Sequence, residues 1–201
     1  MRAPGMFEER NFTRTPVNQT AGKKLASEAL KGRVFESNLG DLNNTKPHYK
    51  VKLIIEDASE TSTRTALTNF YGIDTTRDYL CSLIKKWHTL IETYVDAKTN
   101  DGFLLRFFVI AATARNSKYQ LKATSFAQNS QIKQIRRIMN SVISKEVRKS
   151  TLKELTSKVI SESISDDITK KAKKIYPLQY SLIRKIKTLK KPRFDSIFAF
   201  L

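Results

Sequence analysis

Few side chains in this 201-residue chain could carry covalent or metal chemistry. Cys81 is the only cysteine, and His48 and His88 are the only histidines. If Cys81 and His88 share a helix, both fall on one flank. At about 1.5 Å of rise per residue they would still be roughly 10 Å apart, far beyond the ~3 Å a nucleophile and its base require. A lone cysteine also excludes an internal disulfide and a thiolate zinc site. Asp166-Asp167 looks like a carboxylate pair, but neighbours on a helix point apart, and a first-turn position accounts for them through the helix dipole. The six glycines are never spaced ahead of a Lys-Ser/Thr pair, so no phosphate-cradling loop is present. The chain is not read as an enzyme, and no metal or cofactor is expected.

Charge is more informative. The chain carries 37 Lys+Arg against 19 Asp+Glu, a formal net charge of +18. Residues 118–201 hold 20 of the basic side chains and 6 of the acidic ones, a surplus of 14. Such self-repulsion in a foldable sequence predicts a polyanionic partner. The strongest clusters are Lys133, Arg136, Arg137 and Arg148 on a helical pattern, and Arg184, Lys185, Lys187, Lys190, Lys191 and Arg193 on a strand and its exit. Weaker candidates are Lys31 and Arg33, Lys85 and Lys86, and Arg115 with Lys118 and Lys122. The bland alternative is a solvated face. Against it, the ten cations from Lys170 to Arg193 have no acid among them, so i,i+4 pairing cannot neutralise the run. Apolar residues also interleave with the charges, so the segment folds without being neutralised. Phosphate contact to folded RNA by shape and backbone is the expectation, with nothing indicating base-specific reading. Among the aromatics, Trp87 is expected in the core, whereas Phe12, Tyr119 and Phe126 are free to stack on bases or on a neighbouring protein. A membrane-surface helix is disfavoured, because Pro177 and Pro192 bracket a stretch with strand spacing.

The elements that position these residues start from Asp74–Thr113. Leu80, Leu83, Ile84, Trp87, Leu90, Ile91 and Tyr94 recur at helical steps, and Thr75 with Asp78 supplies an N-terminal cap, so a helix is expected there. Alternation then begins at Val95 and Ala97, Asp101-Gly102 suits a tight hairpin turn, and Phe103 to Ala112 reads as a strand covered on both faces. Further strands are expected over 33–39, 49–57, 65–73, 118–123 and 180–189. Helices follow over the Ile132–Ile143 stripe, with an end or bend near Glu146, then from the Thr151/Glu154 capping box to about Ile160, and then from Ser165. The fold class is α+β, with a curled antiparallel sheet or barrel-like core, packed helices and an extended N-terminal arm. The expected organisation is an arm over 1–30, one α+β domain over 31–194 and a short tail over 195–201. Within that domain, 31–123 is strand-rich, 124–176 mostly helical, and 178–194 holds the last strand and basic segment.

Several long segments, in order, carry a family resemblance: LKGRVFESNLGDL (30–42), LTNFYGIDTTRD (67–78), IKKWHTLIETYVDAKTNDGFLLR (84–106), KATSFAQNSQIKQIRRIM (122–139) and IYPLQYSLIRKIKTLKKPRF (175–194). The chain resembles the eukaryotic and archaeal small-subunit ribosomal proteins of the S-one-e (S-three-a) family. The resemblance implies a non-catalytic structural constituent of the small subunit, on the platform side near the messenger exit. Its implied partners are small-subunit ribosomal RNA and neighbouring ribosomal proteins, with messenger RNA and initiation factors near that exit and no membrane. Its implied location is the cytoplasm, with passage through the nucleolus during assembly. The family usually carries a lysine-rich tail before the segment matching Arg2-Ala3-Pro4 and a polar tail past Phe194. Both are nearly absent here, which points to a reduced or trimmed sequence. A free-standing basic RNA-binding module is the alternative that charge alone allows.

Overall fold

The structure is a computed structural model and describes residues 1, 3–7, 14–23, 25–43, 46–58, 65–116 and 120–192. The chain divides into two compact units, Met1–Leu83 and Ile84–Leu201. Among the described residues no helix is long and apolar enough to cross a membrane, and no group of His, Cys, Asp or Glu is placed to hold a metal ion.

The N-terminal unit contains α1 (Ala26–Leu30), β1 (Val34–Asn38), α2 (Leu39–Asn43), β2 (Tyr49–Ala58), β3 (Ala66–Thr75) and α3 (Arg77–Leu83). β2 pairs antiparallel with β1 on one side and with β3 on the other. Alternation sets its faces: Tyr49, Val51, Leu53 and Ile55 are buried, while Lys50, Lys52 and Glu56 stay at least partly exposed. Leaving water contributes about 1.5–3 kcal/mol for each fully buried aliphatic side chain. The stretch expected as an extended arm contains the short α1, and its Ala3 and Phe7 are buried. Ser59–Thr63, whose composition reads as a surface turn, lies outside the described residues.

The C-terminal unit contains β4 (Leu90–Lys98), β5 (Leu104–Thr113), α4 (Asn129–Lys149), α5 (Leu152–Ile160), α6 (Ser163–Ala172) and β6 (Leu178–Lys190). β5 pairs antiparallel with β4 and with β6. The open antiparallel form of the expected sheet is therefore the one observed, since in neither unit does a described strand pair back to close a barrel. α4 packs on β4 and α6 on β6, so the helices cover one sheet face. Ile135, Met139, Ile143 and Val147 of α4 and Ile91, Val95, Leu105, Phe107 and Val109 of the sheet are buried there.

The largest departure from the sequence reading is the stretch expected to be one helix through Tyr94. α3 ends at Leu83, and Leu90, Ile91 and Tyr94 lie on β4. Ile91, Thr93, Val95 and Ala97 alternate inward while Glu92, Tyr94 and Asp96 face out, a period of two that also satisfies the β-branched side chains. The helical spacing across residues 83–90 was coincidental. Trp87, expected in the core, lies in the turn before β4 with its backbone at φ 69° and is 63% exposed. Its carbonyl accepts from the Ser125 N–H at 2.9 Å and from the Ser125 hydroxyl at 3.2 Å, which holds the turn in place.

Smaller corrections follow from local contacts. α4 continues past Glu146 only to Lys149, an end close to the expected position, and Glu146 accepts from Lys158 Nζ of α5 at 3.1 Å. α6 starts at Ser163 rather than Ser165. The described part of the expected 118–123 strand, residues 120–123, is not strand, and Lys118 lies outside the described residues. β5 is buried on both faces only from Val109 onward, since Leu104, Arg106 and Phe108 are half-buried. The hairpin turn matches expectation, with Gly102 at φ 87° and the Thr99 N–H donating to the Phe103 carbonyl at 2.9 Å. Its Asp101 carboxylate accepts the Leu152 N–H at 2.7 Å, so the tip of the hairpin satisfies an orphan donor of α5. Thr151 and Glu154 form the expected capping box.

Candidate nucleic-acid interface

α4 builds the clearest cationic surface. Its buried stripe turns Lys133, Arg137 and Arg148 to the opposite, exposed side, with Gln134 and Ser141 between them. From Lys133 to Arg148 that stripe runs roughly 22 Å along the axis. Glu146 is the only acid in the helix and is half-buried against Lys158. No ion pair forms at Lys133, Arg137 or Arg148 among the described residues. Lys145 and Lys149 are exposed on the same helix; sequence reasoning passed over them, although the same stripe geometry would have found them. Arg136 is exposed at the flank, and its Nε donates to the Glu92 carbonyl at 3.1 Å, so it ties α4 to the outer edge of β4. Asn140 is half-buried and accepts from the Thr93 hydroxyl at 2.9 Å.

β6 delivers its cations to the opposite sheet face. Lys185 pairs with Phe108, Lys187 with Arg106 and Lys190 with Leu104. Across β4 the same rows continue to Tyr94, Asp96 and Lys98. Arg184 falls at a register shift and is exposed. Arg106 donates from Nε and Nη2 to the two Asp96 oxygens, each at 2.6 Å, and this bidentate contact holds the Asp96 carboxyl below its ordinary range and Arg106 above its own. The Arg106 guanidinium lies 5.3 Å from the centre of the Tyr94 ring, and Lys187 Nζ 5.8 Å from that of Phe108. Lys191 is exposed just past β6, and Arg193 lies outside the described residues.

The weaker candidates are engaged differently. Lys31 pairs with Asp57 at 3.2 Å, and that contact lowers the Asp57 pKa. Arg33 Nη1 donates to the Pro16 carbonyl at 2.7 Å. Arg115 Nη2 donates to the Gln120 carbonyl at 3.3 Å. Lys85, Lys86 and Lys122 are exposed near the likewise exposed Trp87 and Phe126, whereas Phe12 and Tyr119 lie outside the described residues.

The residues first weighed for chemistry are accounted for structurally. Cys81 is exposed on α3, and His88 is not on a helix at all. His88 Nδ1 lies 2.6 Å from the Thr113 carbonyl, which only accepts, so Nδ1 carries the proton and pins the entry of β4 to the end of β5. Ser125 Oγ lies 2.8 Å from the same nitrogen. His48 stacks on Tyr79 with ring centres 4.2 Å apart.

Comparison with known proteins matches residues 1–192 to the Ribosomal S3Ae family. The chain is also similar to the small ribosomal subunit protein eS1 of Brugia malayi, 52% identical over 196 residues that span 97% of this chain and 75% of that protein.

Proposed function

We infer that this chain, which belongs to the Ribosomal S3Ae family, is a structural constituent of the small ribosomal subunit and holds ribosomal RNA through basic surfaces. The observation that carries the RNA contact is the outer side of α4, where Lys133, Arg137 and Arg148 stand exposed with no ion pair among the described residues. A folded surface that keeps like charges together is stabilised when phosphates arrive and counterions leave. The β6 cations Arg184, Lys185, Lys187, Lys190 and Lys191 extend the same role to a second surface. Neighbouring small-subunit proteins complete the set of partners, and the working site is the ribosome in the cytoplasm, reached through nucleolar assembly. Contacts with messenger RNA and initiation factors follow from the platform position that the family resemblance implies. No catalytic role is assigned, consistent with a family of structural ribosomal proteins. The alternative of a free-standing RNA-binding module draws only on the charge, which both readings share.

Sucrose-gradient sedimentation at rising salt tests this reading. The chain is expected to travel with small subunits and to leave them only at high salt. The triple variant Lys133→Glu, Arg137→Glu, Arg148→Glu is expected to fold and to be absent from subunit fractions. Free migration of the unaltered chain at low salt overturns the ribosomal assignment, and normal incorporation of the triple variant moves the RNA contact away from α4.

A further inference from the structure

The sheet face turned away from the helices has a composition that phosphate contact alone does not explain. Register places three rows across it: Tyr94–Phe108–Lys185, Asp96–Arg106–Lys187 and Lys98–Leu104–Lys190. Tyr94 is 63% exposed although it stands mid-strand on a well-formed hairpin. Its ring centre lies 6.5 Å from that of Phe108, with the planes tilted by 40°. Each ring has a cation over one face, Arg106 over Tyr94 and Lys187 over Phe108, which leaves the other face and the edges of the exposed Tyr94 ring open. Asp96 occupies Nε and Nη2 of Arg106 and leaves Nη1 to donate elsewhere. β4 is an edge strand, so Tyr94 is reachable from the side as well as from above.

We propose that this face is a stacking platform for unpaired nucleotides, with Tyr94 and Phe108 receiving bases and Arg106, Lys185 and Lys187 taking the flanking phosphates. Flat aromatic groups accept any base through its π-face, and neighbouring cations track the backbone, a combination that selects single strands over duplex because paired bases present no free face. A protein partner fits less well. A stable protein interface covers roughly 800 Å² on each side and depletes lysine at its centre, whereas here lysines and an arginine stand among the rings. The inference rests on the RNA-contact reading above and narrows it: the helix side takes backbone, the sheet side takes loops, bulges or strand ends.

The test uses the full-length chain with two probes, a short unstructured oligouridine and an RNA duplex of the same length, titrated by fluorescence anisotropy. Tyr94→Ala is expected to weaken oligouridine binding roughly 5- to 100-fold, the loss of one stacked base, and to leave duplex binding unchanged. Tyr94→Phe keeps the ring and is expected to restore binding. Phe108→Leu keeps apolar bulk beneath Lys187 and is expected to lose binding in the same direction as Tyr94→Ala. Unchanged oligouridine affinity in Tyr94→Ala, an equal loss on both probes, or failure of Tyr94→Phe to restore binding overturns the platform. If the unaltered chain binds duplex alone, the platform falls and the phosphate reading stands. If it binds neither probe, both fall together.

Discussion

On the outer side of α4 the cations stand among Gln134, Ser141 and other small polar groups, while on the far face of the β4–β5–β6 sheet they lie against aromatic rings. The helix can present charge in a stripe because its other side is occupied by core, and each long side chain reaches out alone. The sheet arranges neighbours on a lattice, so a cation and a ring on adjacent strands meet diagonally and hold each other. One surface is thus suited to the diffuse charge of a phosphate backbone, the other to the flat face of a base. The N-terminal unit offers a third arrangement. Lys52 there pairs with Glu36 at 2.9 Å, directly opposite it in register, and Lys31 pairs with Asp57, so its charge is largely answered internally. Net charge alone does not distinguish these uses; what surrounds each cation does.

Removing the layer that separates the two faces should break the comparison most severely. Phe107 is fully buried between helices and sheet, and Phe107→Ala is expected to cost about 3–5 kcal/mol, measured by chemical denaturation, with both RNA activities lost together. If only one activity falls, the faces do not share a core. Next, Lys133→Ala, Arg137→Ala, Arg148→Ala should flatten the log–log salt slope of duplex binding by roughly three units, about one for each phosphate contact. Tyr94→Ala should leave that slope where it was, and a slope that moves with Tyr94 instead would erase the distinction. A smaller gain is expected from Asp96→Asn, which frees Arg106 Nε and Nη2 for phosphate: oligouridine affinity should rise a few-fold and steepen with salt by about one unit. No rise would mean that the pair orients Arg106 usefully rather than withholding it.

The smallest effect concerns pH. Arg106 lowers the Asp96 pKa from its ordinary value of 3.8, so the pair's contribution to stability is fully present above that value and is lost as pH falls through the lower folded value. Acid titration of the unaltered chain against Asp96→Asn should show a difference that vanishes only in that window, and a difference that vanishes near neutrality would assign the effect to another group. The pair is partly exposed, so the difference should be slight.

Strands β1, β2, β3, β5 and β6, the Gly102 turn, the capping box at Thr151 and the stripe of α4 were legible from period and local chemistry, because each depends on neighbours within a few residues. The α4 cations were legible for the same reason: a helix whose buried stripe is known places its other residues by arithmetic. What residue types and spacing left undecided was the stretch from Leu83 to Tyr94. Local spacing there favours a helix, and only pairing with Phe108 to Ala112 on β5, supplied from the far side of the hairpin, turns Leu90–Tyr94 into strand. That one long-range choice also moved Trp87 to the surface and set Tyr94 beside Phe108 and Arg106. Composition dictated that this chain would carry an excess of positive charge in a folded body. Which cations would face rings, which would face acids and which would stand unanswered was decided by strand register, since register brings together residues that no local pattern links.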